Sequence, residues 1–162
     1  MDEKRLREYL VDSYEYDHNT GYFKVLKHSH AKKVGTNITL RNRGGYVIMT
    51  VAGKRYYAHR MAWLYIKWRL PKEHIDHIDG VRHNNAWSNL RECTQAENLW
   101  NKKTTTGRAK SVWYCKRRKA YVFFIAKNGQ RKIIGKYSTY EEAVDASEIA
   151  RRLCHGEFAR TM

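Results

Sequence analysis

The feature that most constrains the fold of this chain is the way its hydrophobic pattern changes from one segment to the next. Short strand-like runs bounded by turn signals alternate with single stretches of helical spacing. The strand-like runs are residues 22–26, 45–51, 55–57, 112–116, 120–126 and 131–137, and the helical stretches are residues 3–14, 59–69 and a segment after Thr139. Small sheets that each pack against one helix satisfy this order, so the sequence predicts an α+β fold.

The segment 45–69 combines both patterns. A strand over residues 45–51, a turn and a returning strand at 55–57 together predict a hairpin. From His59 to Arg69 the apolar residues recur every three or four positions, which predicts a helix that packs on this hairpin and ends before Pro71. The recurring residues are Met61, Ala62, Leu64, Tyr65 and Trp68.

The C-terminal third predicts a small three-stranded antiparallel sheet covered by one helix. Asn128-Gly129 separates the last two strand-like runs, and Asn-Gly is a strong hairpin signal. Thr139 and Glu142 have the spacing of a capping box at a helix start, and Gly156 is placed to end that helix. The apolar stripe expected to face the sheet consists of Ala143, Ala146, Ala150 and Leu153.

Acidic and basic residues occupy separate blocks of the chain. There are 32 Lys and Arg against 16 Asp and Glu, which gives a formal net charge of +16. All the acids fall within 2–17, 73–97 and 141–157, while the acid-free stretches 18–72 and 98–140 hold 12 Lys and Arg each. A merely solvated surface mixes the two signs, so purely basic stretches predict a polyanionic partner. Lipid binding usually needs a basic amphipathic helix, and much of this charge lies in strand-like sequence, which favours nucleic acid.

Several protein classes do not fit this sequence. Residues 1–5 are charged and no apolar stretch follows them, so we expect no secretory signal. The longest apolar stretch, near 61–68, contains Lys67 and is too short to span a bilayer. The three cysteines form no CxxC pair, so we expect reduced thiols, no zinc site and a cytoplasmic location.

The polar residues between 75 and 98 form a group with chemical potential. Asp76 and His77 lie together between apolar residues, and the returning strand of a predicted hairpin would follow Ser88. A second capping box, Thr94–Glu97, predicts a helix that carries Asn98. A neutral imidazole can act as a base, and carboxylate and amide oxygens suit Mg²⁺ or Mn²⁺, as hydrolysis of a phosphodiester requires. Taken alone, however, an Asp-His pair near a turn is more often structural.

The segment 59–101 resembles the HNH homing-type endonucleases in both residues and spacing. The matching residues are His59-Arg60, Asp76-His77-Ile78-Asp79-Gly80, Asn84-Asn85, Ser88-Asn89-Leu90-Arg91, Thr94, Glu97-Asn98 and Asn101. The resemblance implies an HNH nuclease domain over residues 1–101, with a β-rich region at 1–58, a helix at 59–69 and a ββα-metal finger at 73–101. Members of this family cleave DNA to 5′-phosphate and 3′-hydroxyl ends, and bacteriophages frequently encode them.

The resemblance also implies roles for single residues. His77 would be the general base, Asp76 a metal ligand, and Asn98 a second ligand where many members have a histidine. Asn89 would brace the loop and help to hold His77, and the pair His59-Arg60 would serve structure or contact with DNA phosphate. The expected cofactor is one Mg²⁺, or Mn²⁺, per active site.

The segment 112–162 resembles the Apetala-type (ethylene-response-factor) DNA-binding domain. The matching residues include Val112-Trp113-Tyr114, Ala120-Tyr121-Val122, Ile133-Ile134-Gly135-Lys136-Tyr137 and His155-Gly156-Glu157-Phe158-Ala159. In that family the three-stranded sheet lies in the major groove of DNA. The candidate DNA contacts are Trp113, Lys116, Arg117, Arg118, Tyr121, Arg131 and Lys132, together with Lys102 and Lys103 of a basic linker at 102–111.

These resemblances imply double-stranded DNA as the partner, no membrane contact, and the cytoplasm (of a host cell, for a phage-encoded protein) as the location. A monomer with one finger would nick a single strand, and a homodimer assembled on DNA would cut both. Two other interpretations stay open at this point. One is a DNA-binding regulator whose finger no longer cuts, and the other is a nuclease specific for RNA or for branched structures.

Overall fold

The computed structural model describes residues 2–27, 33–101, 112–127 and 130–159 of the chain. The chain folds into two compact units, residues 1–95 and 96–162. Each unit has its own antiparallel sheets and its own hydrophobic cluster. Among the helices of the described residues, none has the length and apolarity that crossing a membrane requires.

The first unit begins with a helix that leads directly into a hairpin. Helix α1 (Glu3–Ser13) is capped by the side chain of Asp2, which accepts a hydrogen bond from the backbone N–H of Arg5 at 2.7 Å. Strand β1 (Tyr14–Tyr16) follows without a break and pairs with β2 (Phe23–Val25). The predicted helix and the predicted strand at 22–26 are confirmed, whereas β1 is a strand that the hydrophobic pattern did not reveal.

The second hairpin and its helix agree with the pattern at 45–69. Strand β3 (Ile48–Val51) pairs with β4 (Lys54–Tyr57), and helix α2 (Ala58–Lys67) starts at the end of β4. The helix ends earlier than Pro71 alone implies, because Trp68 adopts a left-handed conformation with φ of 61°. The ring of Trp68 is therefore outside the core, and the expectation that it packs on the hairpin is wrong. It is 70% exposed and lies under the guanidinium of Arg7, whose central carbon is 3.1 Å from the ring centroid.

The core of the first unit joins α1 and α2 to all three of its hairpins. Its fully buried members include Leu10, Phe23, Met49, Met61 and Leu64, none of them more than 2% exposed. Each such side chain contributes about 1.5 to 3 kcal/mol relative to an exposed one. The same cluster includes Ile75 and Leu90 of the third hairpin, so that hairpin is fixed to the main core.

The third hairpin carries the Asp-His pair. Strand β5 (His74–His77) is antiparallel to β6 (Leu90–Cys93), with Asp76 opposite Arg91 and His77 opposite Leu90. The segment that connects them ends in a 3-10 turn at Trp87–Asn89. The predicted hairpin with both residues on its first strand is therefore confirmed.

The second unit contains α3 (Gln95–Asn101) except for its first residue. It also contains a sheet in the order β7-β8-β9, namely Val112–Cys115, Ala120–Lys127 and Gln130–Tyr137. Helix α4 (Tyr140–His155) packs against this sheet. The predicted three-stranded antiparallel sheet with one covering helix is confirmed. The predicted Asn128-Gly129 turn and the linker 102–111 lie outside the described residues.

Helix α4 begins and ends where the sequence predicts. The side chain of Thr139 accepts from the N–H of Glu142, the Glu142 carboxylate accepts from the Thr139 N–H, and Gly156 terminates the helix. Three members of the predicted stripe, Ala143, Ala146 and Ala150, pack in the hydrophobic cluster. The fourth, Leu153, was a wrong prediction, because it is 82% exposed. Cys154 packs in its place, since a helix with 3.6 residues per turn brings position 154 rather than 153 over the sheet.

Candidate active site

The third hairpin buries a carboxylate next to an imidazole. Asp76 and His77 are each 5% exposed. An ionised carboxylate in such a place needs a partner, because its removal from water costs several kcal/mol. Arg91, directly across in β6, supplies it: its Nε and Nη2 donate to Oδ2 of Asp76 at 2.9 and 2.8 Å. This ion pair fixes the orientation of the Asp76 carboxylate.

His77 is held through its Nε2 atom. Nε2 lies 3.2 Å from Oδ1 of Asn85, an almost fully buried residue of the connecting segment. Burial lowers the pKa of His77 below its ordinary value, and the opposing effects of the Asn85 hydrogen bond and of the Asp79 and Asp76 charges do not reverse this. The ring is therefore neutral at pH 7. Because Nε2 donates to a carbonyl oxygen, Nδ1 is the basic nitrogen.

The segment that connects the two strands is braced by an amide and carboxylate network. Oδ1 of Asn89 accepts from the Asp79 N–H at 2.9 Å, while Nδ2 of Asn89 donates to Asp79 Oδ1 at 2.9 Å and to the Asn84 carbonyl at 2.8 Å. Nδ2 of Asn84 donates to the second oxygen of Asp79 at 2.7 Å. Burial raises the pKa of Asp79, but hydrogen bonds from Val81, Asn84 and Asn89 outweigh it and leave that pKa lowered. Asn89 thus makes the bracing contacts expected of it, and its effect on activity stays a prediction.

An aromatic group covers the other side of His77. The rings of His59 and His77 are almost perpendicular, with centroids 5.2 Å apart. The ring of Tyr46 packs against both imidazoles, with centroid distances of 5.4 Å to His59 and 6.0 Å to His77. The ring of Tyr57 stacks on His59 with a centroid distance of 5.4 Å. Burial, followed by the charges of His77 and Arg60, lowers the pKa of His59 to about 3. His59 is therefore a neutral, buried support for His77 at physiological pH.

The donor chemistry of this hairpin fits a hard divalent cation. No group of three or more His, Cys, Asp or Glu side chains in the described ranges could hold a metal by itself. Mg²⁺, however, is commonly bound by one or two carboxylates, waters and substrate phosphate. The oriented carboxylate of Asp76 suits such a site, because hydrogen bonds to a ligating group fix its direction. Asn98 lies in α3, in the second unit, and its role as a second ligand stays a prediction.

The residues predicted to contact DNA occupy varied positions. His59 is buried, as described, and Nη1 of Arg60 donates to the Glu73 carbonyl at 3.1 Å. Lys102 and Lys103 lie outside the described residues. On the second unit, Trp113, Lys116, Arg117, Arg131 and Lys132 are exposed, whereas Arg118 and Tyr121 are half-buried. DNA binding by each of them stays a prediction.

The structure adds three residues that the sequence alone did not assign to the site. Asn85 contacts the base, Tyr46 contacts both histidines, and Arg82 lies over the Tyr46 ring at 5.0 Å and donates to the Gly44 carbonyl at 2.9 Å. The sequence did point to Asn85, because Asn84-Asn85 is part of the motif that resembles the HNH nucleases. Tyr46 had no such signal, because it comes from a distant part of the chain, and Arg82 had none, because it lies in the connecting segment outside the residues of the motif.

Comparison with known proteins places this hairpin in a family. Residues 56–99 match the family model described as HNH endonuclease. "Protein 3.8" of Escherichia phage T7 is 32% identical over 106 residues, which are 63% of this chain and 87% of that protein. An "Uncharacterized HNH endonuclease L560" of Acanthamoeba polyphaga mimivirus is 30% identical over 118 residues, which are 72% of this chain and 62% of that protein. The chain thus spans less than two thirds of the mimivirus relative.

A solved structure is also similar to this chain. It is titled "DNA binding and cleavage by the HNH homing endonuclease I-HmuI", and it matches 88% of this chain and 84% of that chain at 20% identity, with a TM-score of 0.41. The matched segment 56–99 contains α2, the Asp76-His77 strand and its partner strand. It therefore holds the features of an endonuclease domain. Over residues 56–99, which include this hairpin, the chain matches the HNH endonuclease family.

Proposed function

We propose that this protein is a metal-dependent DNA endonuclease that hydrolyses phosphodiester bonds to 5′-phosphate and 3′-hydroxyl ends. His77 acts as the general base, Asp76 and Asn98 bind one Mg²⁺ or Mn²⁺, and Asn89 supports the loop. One observation carries the proposal. A buried, neutral His77 lies beside the Arg91-oriented carboxylate of Asp76, inside the segment that matches the HNH endonuclease family.

The state of His77 suits a general base. A base must be unprotonated at the working pH, and the lowered pKa of His77 provides this. Nδ1 accepts a proton from water while the water oxygen attacks phosphorus. The bond from phosphorus to the 3′ oxygen breaks, and this oxygen takes a proton from solvent, so one water is consumed per bond. When bound, a divalent cation offsets the negative charge that develops on the phosphate and the leaving oxygen.

The second unit serves as the DNA-binding part in this proposal. Lys116, Arg117, Arg131 and Lys132 are exposed on or beside its sheet, and Trp113 is 37% exposed on the same sheet. Cations spaced along a sheet suit the phosphate backbone, and such contacts position a protein without reading sequence. With one hairpin of this kind among the described residues, a monomer nicks one strand, and a double-strand break requires a dimer on DNA or two successive events.

The test is the conversion of supercoiled plasmid to open circles in the presence of Mg²⁺. The wild-type protein and His74→Ala should nick the plasmid, whereas His77→Ala and an EDTA-treated sample should not. His74 is a matched control because it lies in the same strand as His77 but is exposed. Equal nicking by His77→Ala would show that another group is the base.

The other two interpretations are outcomes of the same experiment. A protein that retards plasmid and native-genome DNA in a gel, but cuts neither with Mg²⁺ nor with Mn²⁺, is a DNA-binding regulator. A protein that cuts RNA or branched DNA faster than linear duplex is an RNA- or structure-specific nuclease. Each result contradicts the proposal directly.

A further inference from the structure

We propose that Asn85 is a positioning residue for the general base, and that the turn between β1 and β2 holds Asn85 in place. The inference rests on the proposed role of His77. It assigns a function to the turn at residues 17–21, which is remote in sequence from the hairpin that carries the base. The consequence is that the N-terminal hairpin sets the tautomer of His77.

The side chain of Asn85 can present only one group to His77. Its Nδ2 donates to the His83 carbonyl at 3.3 Å, so that its Oδ1 is the atom that faces Nε2 of His77 at 3.2 Å. A carbonyl oxygen only accepts hydrogen bonds, so Nε2 carries the proton and Nδ1 does not. Asn85 is 2% exposed, and solvent cannot replace it as acceptor without a rearrangement of the loop.

The backbone around Asn85 is held by the N-terminal hairpin. The hydroxyl of Tyr16, in β1, donates to the Asn85 carbonyl at 2.7 Å in a buried hydrogen bond. The N–H of Trp87 donates to the His18 carbonyl, in the turn after β1, at 2.8 Å. The backbone on each side of Ala86 is therefore fixed by a hydrogen bond to the N-terminal hairpin. Tyr16 and Asn85 are 69 residues apart in the sequence.

Close approach of the two backbones depends on Gly21. Gly21 has a φ of +75°, and a Cβ at this position would lie 2.2 Å from both the Asn85 carbonyl carbon and the Ala86 nitrogen. No side chain fits there without moving the segment that carries Asn85. The turn itself is ordered by Asp17, whose carboxylate accepts from the Asn19 N–H at 2.9 Å and from the Thr20 hydroxyl at 2.7 Å.

Without the Asn85 acceptor, the hydrogen bond that favours the proton on Nε2 is lost, and the tautomer with the proton on Nδ1 becomes accessible. The molecules with the proton on Nδ1 cannot accept a proton from water at that atom. A displacement of about 1 Å at a reacting group can reduce a rate about 100-fold. We therefore expect Asn85→Leu, which is similar in volume, to lower the cleavage rate at saturating DNA about 100-fold and to leave DNA affinity unchanged.

The first readout is the tautomer itself, measured in the full-length protein by ¹⁵N NMR of labelled histidine, without DNA or metal. In wild type, His77 should show a protonated Nε2 and an unprotonated Nδ1. Asn85→Leu should give a mixture of the two tautomers, and Tyr16→Phe should give a smaller shift in the same direction. An unchanged His77 tautomer in Asn85→Leu overturns the proposal.

The second readout uses a matched pair of glycines. Gly21 and Gly53 have almost the same φ, +75° and +77°, but a Cβ on Gly53 would meet nothing within 4 Å. Gly21→Ala and Gly53→Ala therefore carry similar backbone strain, and only the first displaces Asn85. We expect Gly21→Ala alone to alter the His77 tautomer and to slow plasmid nicking. Equal effects in the two variants overturn the role of the turn.

The failure of this inference is distinct from failure of the proposed function. If His77→Ala nicks plasmid as wild type does, His77 is not the base, and both proposals fall. If His77→Ala is inactive while Asn85→Leu and Gly21→Ala cut at the wild-type rate, the base is correct and the positioning role is wrong.

Discussion

The two units of the chain use charged side chains in opposite ways. In the third hairpin of the first unit, Asp76 and Arg91 pair with their side chains only 6% and 11% exposed. On the sheet of the second unit, Arg131 and Lys132 are exposed. Buried pairs hold groups in one geometry, whereas exposed cations attract a polyanion over a distance and release counterions on contact. In the proposed function, fixed geometry for chemistry and displayed charge for binding belong to different units.

The largest effect should come from breaking the buried pair of the first unit. Arg91→Met removes the guanidinium that pairs with the buried Asp76 carboxylate, so we expect a loss of about 3 to 5 kcal/mol in the free energy of unfolding. Lys27→Met is the matched control, because the Lys27–Asp12 pair is exposed and worth at most about 1 kcal/mol. Urea denaturation measures both. A loss below 1 kcal/mol for Arg91→Met would remove the contrast between buried and exposed charge.

The second effect concerns the carboxylate as a metal ligand. Asp76→Asn keeps the shape of the side chain but removes its charge, so we expect nicking at saturating Mg²⁺ to fall about 100- to 1,000-fold. Higher Mg²⁺ should restore part of the rate. Asp12→Asn, on the exposed surface of α1, should cut as wild type does. If Asp76→Asn responds to Mg²⁺ as wild type does, this carboxylate is not a ligand.

The sequence predicted much of this hairpin, because its signals are local. The spacing of the motif places Asp76 and His77 on the first strand and the returning strand after Ser88. The link from Asn85 to His77 and the approach of Gly21 to Asn85 depend on chain segments that meet only after folding. No periodicity within one segment reports such contacts.

The same distinction explains the errors in helices. The capping box at Thr139 was predictable because both of its hydrogen bonds are made within four residues. Trp68 is exposed because it adopts a left-handed conformation at the end of α2. Cys154 rather than Leu153 packs in the cluster because of the way α4 lies on the sheet. Both are outcomes of tertiary packing, which selects among positions that the sequence pattern leaves equivalent.

A third, smaller effect concerns acid sensitivity of the first unit. The pKa of His59 is lowered to about 3 in the folded protein from an ordinary value of 6.5, so below pH 6.5 the unfolded chain binds the extra proton. The free energy of unfolding therefore falls as pH decreases, by about 2 kcal/mol between pH 6.5 and 5 for this group. His59→Phe should lack this component, and the exposed-site variant His74→Ala should retain it. Urea denaturation of each protein at pH 6.5 and at pH 5 measures this change in the free energy of unfolding. An equal change in wild type and His59→Phe would contradict the prediction.

The smallest effect should come from the exposed cations of the second unit. Loss of two phosphate contacts in the double variant Arg131→Ala, Lys132→Ala should reduce the slope of log affinity against log salt by about 2 and weaken duplex binding several-fold. Lys4→Ala with Arg5→Ala removes the same charge from the exposed surface of α1. Fluorescence anisotropy over a salt series distinguishes the two. Equal changes in both double variants would mean that net charge, rather than the sheet, governs binding.

The division of labour between the units is tested most directly by measuring affinity and single-turnover cleavage in the same two variants. For His77→Ala we expect wild-type affinity for duplex DNA and no cleavage at saturating protein. For Arg131→Ala, Lys132→Ala we expect weakened affinity and a wild-type cleavage rate once the DNA is saturated. A His77→Ala protein that cuts at saturation, or a sheet variant that binds normally and fails to cut, would contradict the assignment of chemistry to the buried hairpin and of binding to the exposed sheet.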